Sequence, residues 1–552
     1  MRSLPCPITL ALLNCLLNCA AAQSVVLDDL ELRLQQQFQK IAPIETAAAA
    51  KQSSPLLRTR IEESLGLGSV QESGSFKAHL FRPKTLIRSG PAIILALSKS
   101  ENDRFITEAF VGSLVRARIT VLRFNADLPP IDKTTLYRGI YPQTILQSRI
   151  RASFTFLSTE QGVDPHRIIL LAPSVSGMIG GVLNPDLAGT ILTGGLPDIE
   201  RTILALRNSR EPDKYLEYLI PGLGTWARTS NLLALLAPRP LLTVRPTSDE
   251  YVRGTDVYSM LGAGGLLDKC FDAGRDINIR SAIYSWVNRR FDEAKDQSYD
   301  EKDEIPPIAV EVNLQVGLPS TNKSISTVLR RVASLDSYLG APLLEKWSGY
   351  LLPALPKSRV VVTVEPFTLP CIVLRPGFEG QDVGNGMLLA VADEGKDFLL
   401  NDHVINSALR QGRQIWMVDV RGLGEMKTNN DAAVLFWSAA LAENFVWRQA
   451  FDLRIIMEHI QQMNYSKRMS LYGKGPIATL IALYVAAAAS GTIPEWIAVD
   501  SGLTSFGAAQ GLPNYAIPAS GGHAFDIPDL VAIAKAKGIK VKDNLRLTEN
   551  DW

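Results

Sequence analysis

What most constrains this chain is a pattern that occurs twice. Residues His166–Ser174 (HRIILLAPS) match Lys467–Gly475 (KRMSLYGKG), and Val244–Tyr251 (VRPTSDEY) match Leu545–Trp552 (LRLTENDW) at the same separation. The chain therefore reads as two copies of one domain, the second stopping just after the position that Asp249 holds in the first. At 552 residues it is too long for a single core, so at least two large domains are expected.

Each copy alternates strand and helix signals. Ala92–Leu97 is a continuous apolar run of the kind buried parallel strands require. Helical spacing follows over Phe105–Val115, then a strand at Ile119–Phe124, a helix at Thr144–Thr159, a strand at Arg167–Ala172 and helix again from Met178. The second series runs through strands at Arg359–Glu365, Pro370–Leu374, Gly386–Val391, Gln414–Asp419 and Arg468–Tyr472, with helices at Phe445–Met463 and Ile477–Ala489. Such alternation predicts an α/β protein in which each domain is a mostly parallel sheet flanked by helices. Between the series, the charged stretch Asp292–Glu304 ending at Pro306-Pro307 reads as a solvated linker. The expected organisation is a leader at 1–22, an N-terminal helical arm at 23–68, a first domain at 69–295, a linker at 296–308 and a second, C-terminally truncated domain at 309–552.

The N-terminus reads as a signal peptide: Arg2, a short apolar stretch Ile8–Leu17, and small residues Ala20-Ala21-Ala22 before Gln23. The expectation is a secreted or periplasmic protein with no integral membrane segment once the signal is removed, since no later segment has the length of a spanning helix. Hydrophobic residues at 46% and charged residues at 20% fit a folded globular chain and exclude long disorder. A net charge of +1, without basic runs interleaved with aromatics, argues against a nucleic-acid partner. Three of the five cysteines lie in the signal, which leaves Cys270 and Cys371, one in each half. That is no disulfide scaffold, no Cys/His group has zinc spacing, and neither metal nor cofactor is expected.

Three segments carry a resemblance. The apolar strand ending in the tight turn Ala172-Pro173-Ser174-Val175-Ser176-Gly177 resembles the nucleophile elbow of α/β-hydrolases. Ala237-Pro238-Arg239-Pro240-Leu241-Leu242 resembles the approach to their acid-bearing strand, and Arg280–Phe291 resembles the last helix of bacterial acetyl xylan esterases and dienelactone-hydrolase-like proteins. The resemblance implies two tandem α/β-hydrolase-like domains. It puts Ser174 at the nucleophile position, the Val175 N–H at the oxyanion hole and Asp249 at the acid. The family's Gly-x-Ser-x-Gly-Gly is altered here, with Ala172 and Ser176 replacing the flanking glycines.

The same comparison leaves the triad without its base. Where the family carries histidine before the last helix, this chain has Asp272-Ala273-Gly274-Arg275-Asp276. Arg275 stays protonated at any working pH and cannot accept the serine proton. The five histidines are His79, His166, His403, His459 and His523, and none lies between Ser174 and the end of the first domain. The second copy has Gly475 at the nucleophile position and Asn550 at the acid, while its Asp419-Val420-Arg421-Gly422-Leu423-Gly424 matches a loop these hydrolases carry after an early strand. His523 lies in the Gly-rich loop Ser520-Gly521-Gly522-His523. Two readings stand. One is a pseudoenzyme with a binding or scaffolding role, and the other is a serine carboxylic-ester hydrolase using Ser174 on an ester or polysaccharide-derived ligand, with a base from elsewhere, such as the second domain.

Overall fold

The computed structural model describes residues 25–65, 67, 70–84, 89–99, 105–130, 133–209, 211–226, 228–270, 276–291, 299, 308–319, 357–364, 367–376, 386–428, 430–462, 468–489, 493–500, 503–506, 512–517 and 526–543. The leader, Arg275, His523 and Asn550 lie outside the described residues, as does most of the charged stretch.

The apolar runs become the strands of two sheets. In the first are β1 (Val70–Phe81), β2 (Gly90–Leu97), β3 (Thr120–Asn125), β4 (Val163–Pro173), β5 (Gly189–Thr193), β6 (Leu241–Val244), β7 (Leu267–Cys270) and β8 (Ala309–Pro319). They lie in the order β7-β6-β5-β4-β2-β3-β1-β8. Pairing is parallel from β7 to β3 and antiparallel where β1 meets β3 and β8. The second sheet holds β9 (Lys357–Val364), β10 (Phe367–Leu374), β11 (Met387–Ala392), β12 (Gln414–Val418), β13 (Met469–Lys474), β14 (Trp496–Asp500) and β15 (Lys540–Asp543). Its order is β15-β14-β13-β11-β12-β10-β9. Read inward from β1 and β10, the two orders correspond strand for strand as far as β6 and β15; β7 has no counterpart among the described residues, and the edge strands differ, β8 following its sheet in the chain and β9 preceding its own. Both sheets are thus mostly parallel with an antiparallel edge, the α/β architecture the alternation implies.

Eleven helices position the features discussed below: α1 (25–40), α2 (Ala47–Leu65), α3 (Pro142–Thr159), α4 (Ser174–Leu183), α5 (Ile199–Ala205), α6 (Thr229–Leu236), α7 (Ser248–Met260), α8 (Asp276–Phe291), α9 (Asp431–Ala440), α10 (Phe445–Gln462) and α11 (Pro476–Ala488). Because successive strand residues face opposite sides, β2 sends Ile93 and Leu95 into a core shared with Ile283 and Trp286 of α8. Its Ala92 and Ile94 enter the core shared with Leu146 and Ile150 of α3. Both faces are covered, which explains why β2 and β4 read as unbroken apolar runs rather than alternating ones.

One boundary differs from the sequence reading. That reading assigns residues 309–319 to the second domain, but as β8 they pair with β1 from Val70↔Pro319 to Phe81↔Ala309 and complete the edge of the first sheet. The charged stretch suggests a boundary because it is polar, yet Tyr299 within it packs its ring on Tyr284 at 5.5 Å and accepts a hydrogen bond from Arg280 Nε at 3.1 Å.

The two sheets share a core. Its largest apolar cluster joins Val26, Leu30, Leu34 and Phe38 of α1 to Ile203, Leu223 and Leu233 of the first half and to Val434, Trp437 and Phe451 of the second. Trp437 Nε1 donates to the Ile203 carbonyl at 2.8 Å, and Gly222 N–H to the Ala439 carbonyl at 2.7 Å. Charges bind the arm to the second half: Arg33 pairs with Glu443 at 2.5 Å, and Asp29 meets Arg421 at 3.5 Å. Arg421 is buried and holds Asp452 through two bonds, at 2.8 and 2.6 Å.

Candidate functional site

Hydrolases of this architecture place the nucleophile where a central strand turns sharply into a helix. In the first half that turn joins β4 to α4, and Ser174 is the first residue of the helix. Pro173 enters it at φ −58°, ψ 142°, and the non-glycine residues at positive φ among the described residues are Arg118, Arg245 and Ala442. Ser174 therefore sits in an unstrained helical start, not in the strained conformation that lifts a nucleophile above the sheet. Its hydroxyl is half-buried and makes no hydrogen bond within the described residues. Val175 is fully buried at the second helical position, where helix N–H groups lack intrahelical acceptors.

One of the two flanking substitutions, Ser176, has a local cause. Ser176 is buried, and its Oγ accepts a hydrogen bond from Gln143 Nε2 at 2.7 Å, while its carbonyl accepts one from Gln147 Nε2 at 2.9 Å. Gln147 also donates to Gln143 Oε1 at 3.0 Å, so two glutamines of α3 lock the turn from below. Gly177 persists because a Cβ there would lie 2.7 Å from Leu192 Cδ2 and 3.0 Å from the Ala172 carbonyl.

Asp249 falls in the first turn of α7, exposed, beside a capping box in which Thr247 accepts from Glu250 N–H and Glu250 accepts from Thr247 N–H at 2.9 Å. No hydrogen bond joins it to Ser174. The strand end before it carries a cation that the motif comparison passed over. Arg245 adopts φ 59°, donates its N–H to the Cys270 carbonyl at 2.8 Å and pairs with Asp276 at 3.1 Å. A bulky residue at positive φ is sparsely populated, and this one sets a permanent charge between β6 and α8. Of the described histidines, His166 is exposed near the N-terminal end of β4, opposite Ser174, and His79 lies on β1 between Arg123 and Glu311. His403 is exposed at the start of a short helix of the second half, His403–Arg410.

The second half builds the corresponding turn differently. Gly475, between β13 and α11, adopts φ 95°, ψ 166°, a region essentially reserved for glycine. The following residue is Pro476, which has no N–H to offer an oxyanion. The place of a nucleophile side chain is taken: a Cβ on Gly475 would lie 2.5 Å from Asp393 Cγ. Asp393 comes from the loop after β11, and its carboxyl accepts the N–H groups of Ala478 at 2.7 Å and Ile477 at 3.2 Å. Its own N–H donates to the Lys474 carbonyl at 3.0 Å, which closes the loop onto the turn. Burial pushes this carboxyl up to about 6, against the pull of its two backbone donors. A resident carboxylate thus occupies the helix N-terminus where a transient oxyanion would form. Sequence reading missed it because nothing local marks Asp393.

The Asp419–Gly424 loop proves to be a brace. Asp419 accepts from Lys396 N–H at 2.6 Å, Lys396 Nζ at 2.9 Å and Glu425 N–H at 3.0 Å. Gly424 is required there, since a Cβ would lie 2.3 Å from Asp419 Oδ1. Among the described residues no cluster of His, Cys, Asp or Glu could hold a metal ion, and no helix is long and apolar enough to cross a membrane.

No family model matches the chain, and no curated protein matches it. Solved structures of similar fold include a candidate acetyl xylan esterase from Bacteroides fragilis, with 12% identity, TM-score 0.35, and coverage of 43% of this chain and 81% of that one. Another is a methylesterase with 16% identity, TM-score 0.32 and coverage of 50% and 72%. A carbohydrate esterase family 15 glucuronoyl esterase from Caldicellulosiruptor kristjansonii gives 12% identity, TM-score 0.31 and coverage of 47% and 90%. The fold assignment rests on the strand orders and registers given above.

Proposed function

We propose that this is an exported protein of the esterase type of α/β-hydrolase fold, with two copies of the domain, that has lost turnover and acts by binding. The observation that carries the reading is the state of the two strand-to-helix turns. Ser174 has no hydrogen-bonded base among the described residues, and the Gly475 turn is filled by Asp393. A serine hydroxyl attacks an ester only when a group takes its proton as the bond forms. Arg245 and Arg275, cations at any working pH, do not serve. Loss of the base of such a triad costs about four to six orders of magnitude in rate.

The second reading, an active ester hydrolase using Ser174 with Asp249 as acid, keeps one supporting observation. The hydroxyl stands at the start of α4 next to the Val175 N–H, so a nucleophile and one donor remain side by side. Treating the purified mature chain with a fluorophosphonate probe separates the two. The expected result is no labelling at Ser174 and no turnover of small acetyl esters. Labelling that Ser174→Ala abolishes would overturn the proposal and establish the hydrolase.

A further inference from the structure

Away from both turns, a cavity of about 600 Å³ opens at the C-terminal ends of β5 and β6, the side of an α/β sheet where ligands bind. Its size is that of a small-molecule site. Neither Ser174 nor any residue of its turn lines it. The wall is mainly apolar, built from Phe38 of α1, Leu196, Leu204, Leu233 of α6 and Val257 of α7. The arm is therefore part of the site, and the arm is held in place by the ion pairs of Asp29 and Arg33 with the second half.

The charged groups on the wall select among ligands. Asp198 is matched by Arg253 at 2.8 Å and also accepts the Arg201 N–H at 3.0 Å. Glu200 accepts from Thr229 Oγ1 at 2.8 Å, and Glu250 accepts from the Thr247 N–H at 2.9 Å. These bonds set no cation beside Glu200 or Glu250, so the two carboxylates and the exposed Asp256 oppose an anion. Arg228 stands alone against them. Its Nε is buried without a hydrogen-bond partner, and its side chain makes no ion pair among the described residues. The guanidinium of Arg228 lines the cavity, and a carbonyl oxygen would accept from its outer N–H groups where a cation would be repelled.

We propose that this cavity binds an uncharged carbonyl compound with an apolar body, its oxygen accepting from Arg228 and its chain lying against Phe38, Leu233 and Val257. The proposal rests on the reading of the chain as a binding protein. The two fail separately, since labelling of Ser174 tests turnover and leaves the cavity untouched.

The experiment is calorimetric titration of the mature chain with three molecules of one chain length: octanamide, octanoate and octylamine. The expected result is saturable binding of octanamide, at least about tenfold tighter than either charged analogue. Arg228→Gln should weaken octanamide several-fold and leave the melting curve unchanged. Leu233→Trp, which fills the cavity, should abolish binding. Octanoate or octylamine binding as tightly as the amide would overturn the proposal. So would absence of octanamide binding, or octanamide affinity indifferent to Arg228→Gln in a folded variant.

Discussion

Replacing Asp393 by asparagine should remove one pH-dependent contribution to stability. The carboxyl titrates at about 6 in the folded chain, against an ordinary 3.8. The folded state therefore holds a proton that the unfolded chain releases. Stability from this group is fully present below 3.8 and is lost as pH rises through about 6. At 1.36 kcal/mol per pH unit the shift corresponds to about 3 kcal/mol, and because Asp393 is only partly buried, screening by solvent leaves about 1–2 kcal/mol. Neighbouring charges act in both directions, with Glu394 raising the carboxyl further and Lys427 lowering it. Asparagine keeps an acceptor for Ala478 N–H and loses one toward Ile477, much as the protonated acid does, so this penalty cancels between the two proteins at low pH. Urea unfolding of both, followed by tryptophan fluorescence at pH 4.5, 5.5, 6.5 and 7.5, gives the double difference. The Asp393→Asn variant should gain on the parent by about 1 kcal/mol between the extremes, since pH 4.5 already lies above 3.8. A difference constant across that range would refute the reasoning, because the burial of the charge would then have no energetic weight.

Gly475→Ser should destabilise the second half by about 2–4 kcal/mol, since it forces a side chain into a glycine-only conformation and against Asp393. It should also confer no fluorophosphonate labelling, and a labelled, stable variant would contradict the filled turn. Asp452→Asn removes the carboxylate that buried Arg421 holds and should cost about 3–5 kcal/mol, read as a lowered melting temperature and faster proteolysis of α1. Trp437→Phe removes the bond to the Ile203 carbonyl between the halves and should cost about 1–3 kcal/mol. Amide exchange in α5 and α9 should rise together, and an effect confined to one half would speak against a shared core.

The strands were legible because each central one is buried on both faces and so shows as an apolar run. The turns at Ser174 and Gly475 were legible because strand, small residues and helix follow one another directly in the chain. What lay hidden depends on distant residues. Gln143 and Gln147 look like surface polar residues of a helix, yet they are buried beneath the Ser174 turn. Asp29 and Arg33 look like the solvated face of the arm, yet they pair with Arg421 and Glu443. Asp393 follows β11 with no local motif, and its role exists only once β11 and β13 are neighbours. The left-handed backbone of Arg245 likewise has no sequence marker, because arginine is not a residue expected there.

The placement of β8 bears on how this protein can be cut, shortened or rearranged. Its residues follow the charged stretch in the chain but belong by pairing to the first sheet. A protease that severs the stretch therefore leaves two fragments still stitched through a strand, not two released domains. A gene fragment ending at residue 295 would strip β1 of its neighbour from Val70 to Phe81. The bared row of N–H and C=O groups would invite pairing with another molecule. A fragment beginning at 309 would carry the orphaned strand with it. Any fragment meant to keep the first sheet whole has to run beyond Pro319, and because Val70 and Pro319 are partners at one end of the pair, a short link there would join β8 directly to β1 in a circular permutant.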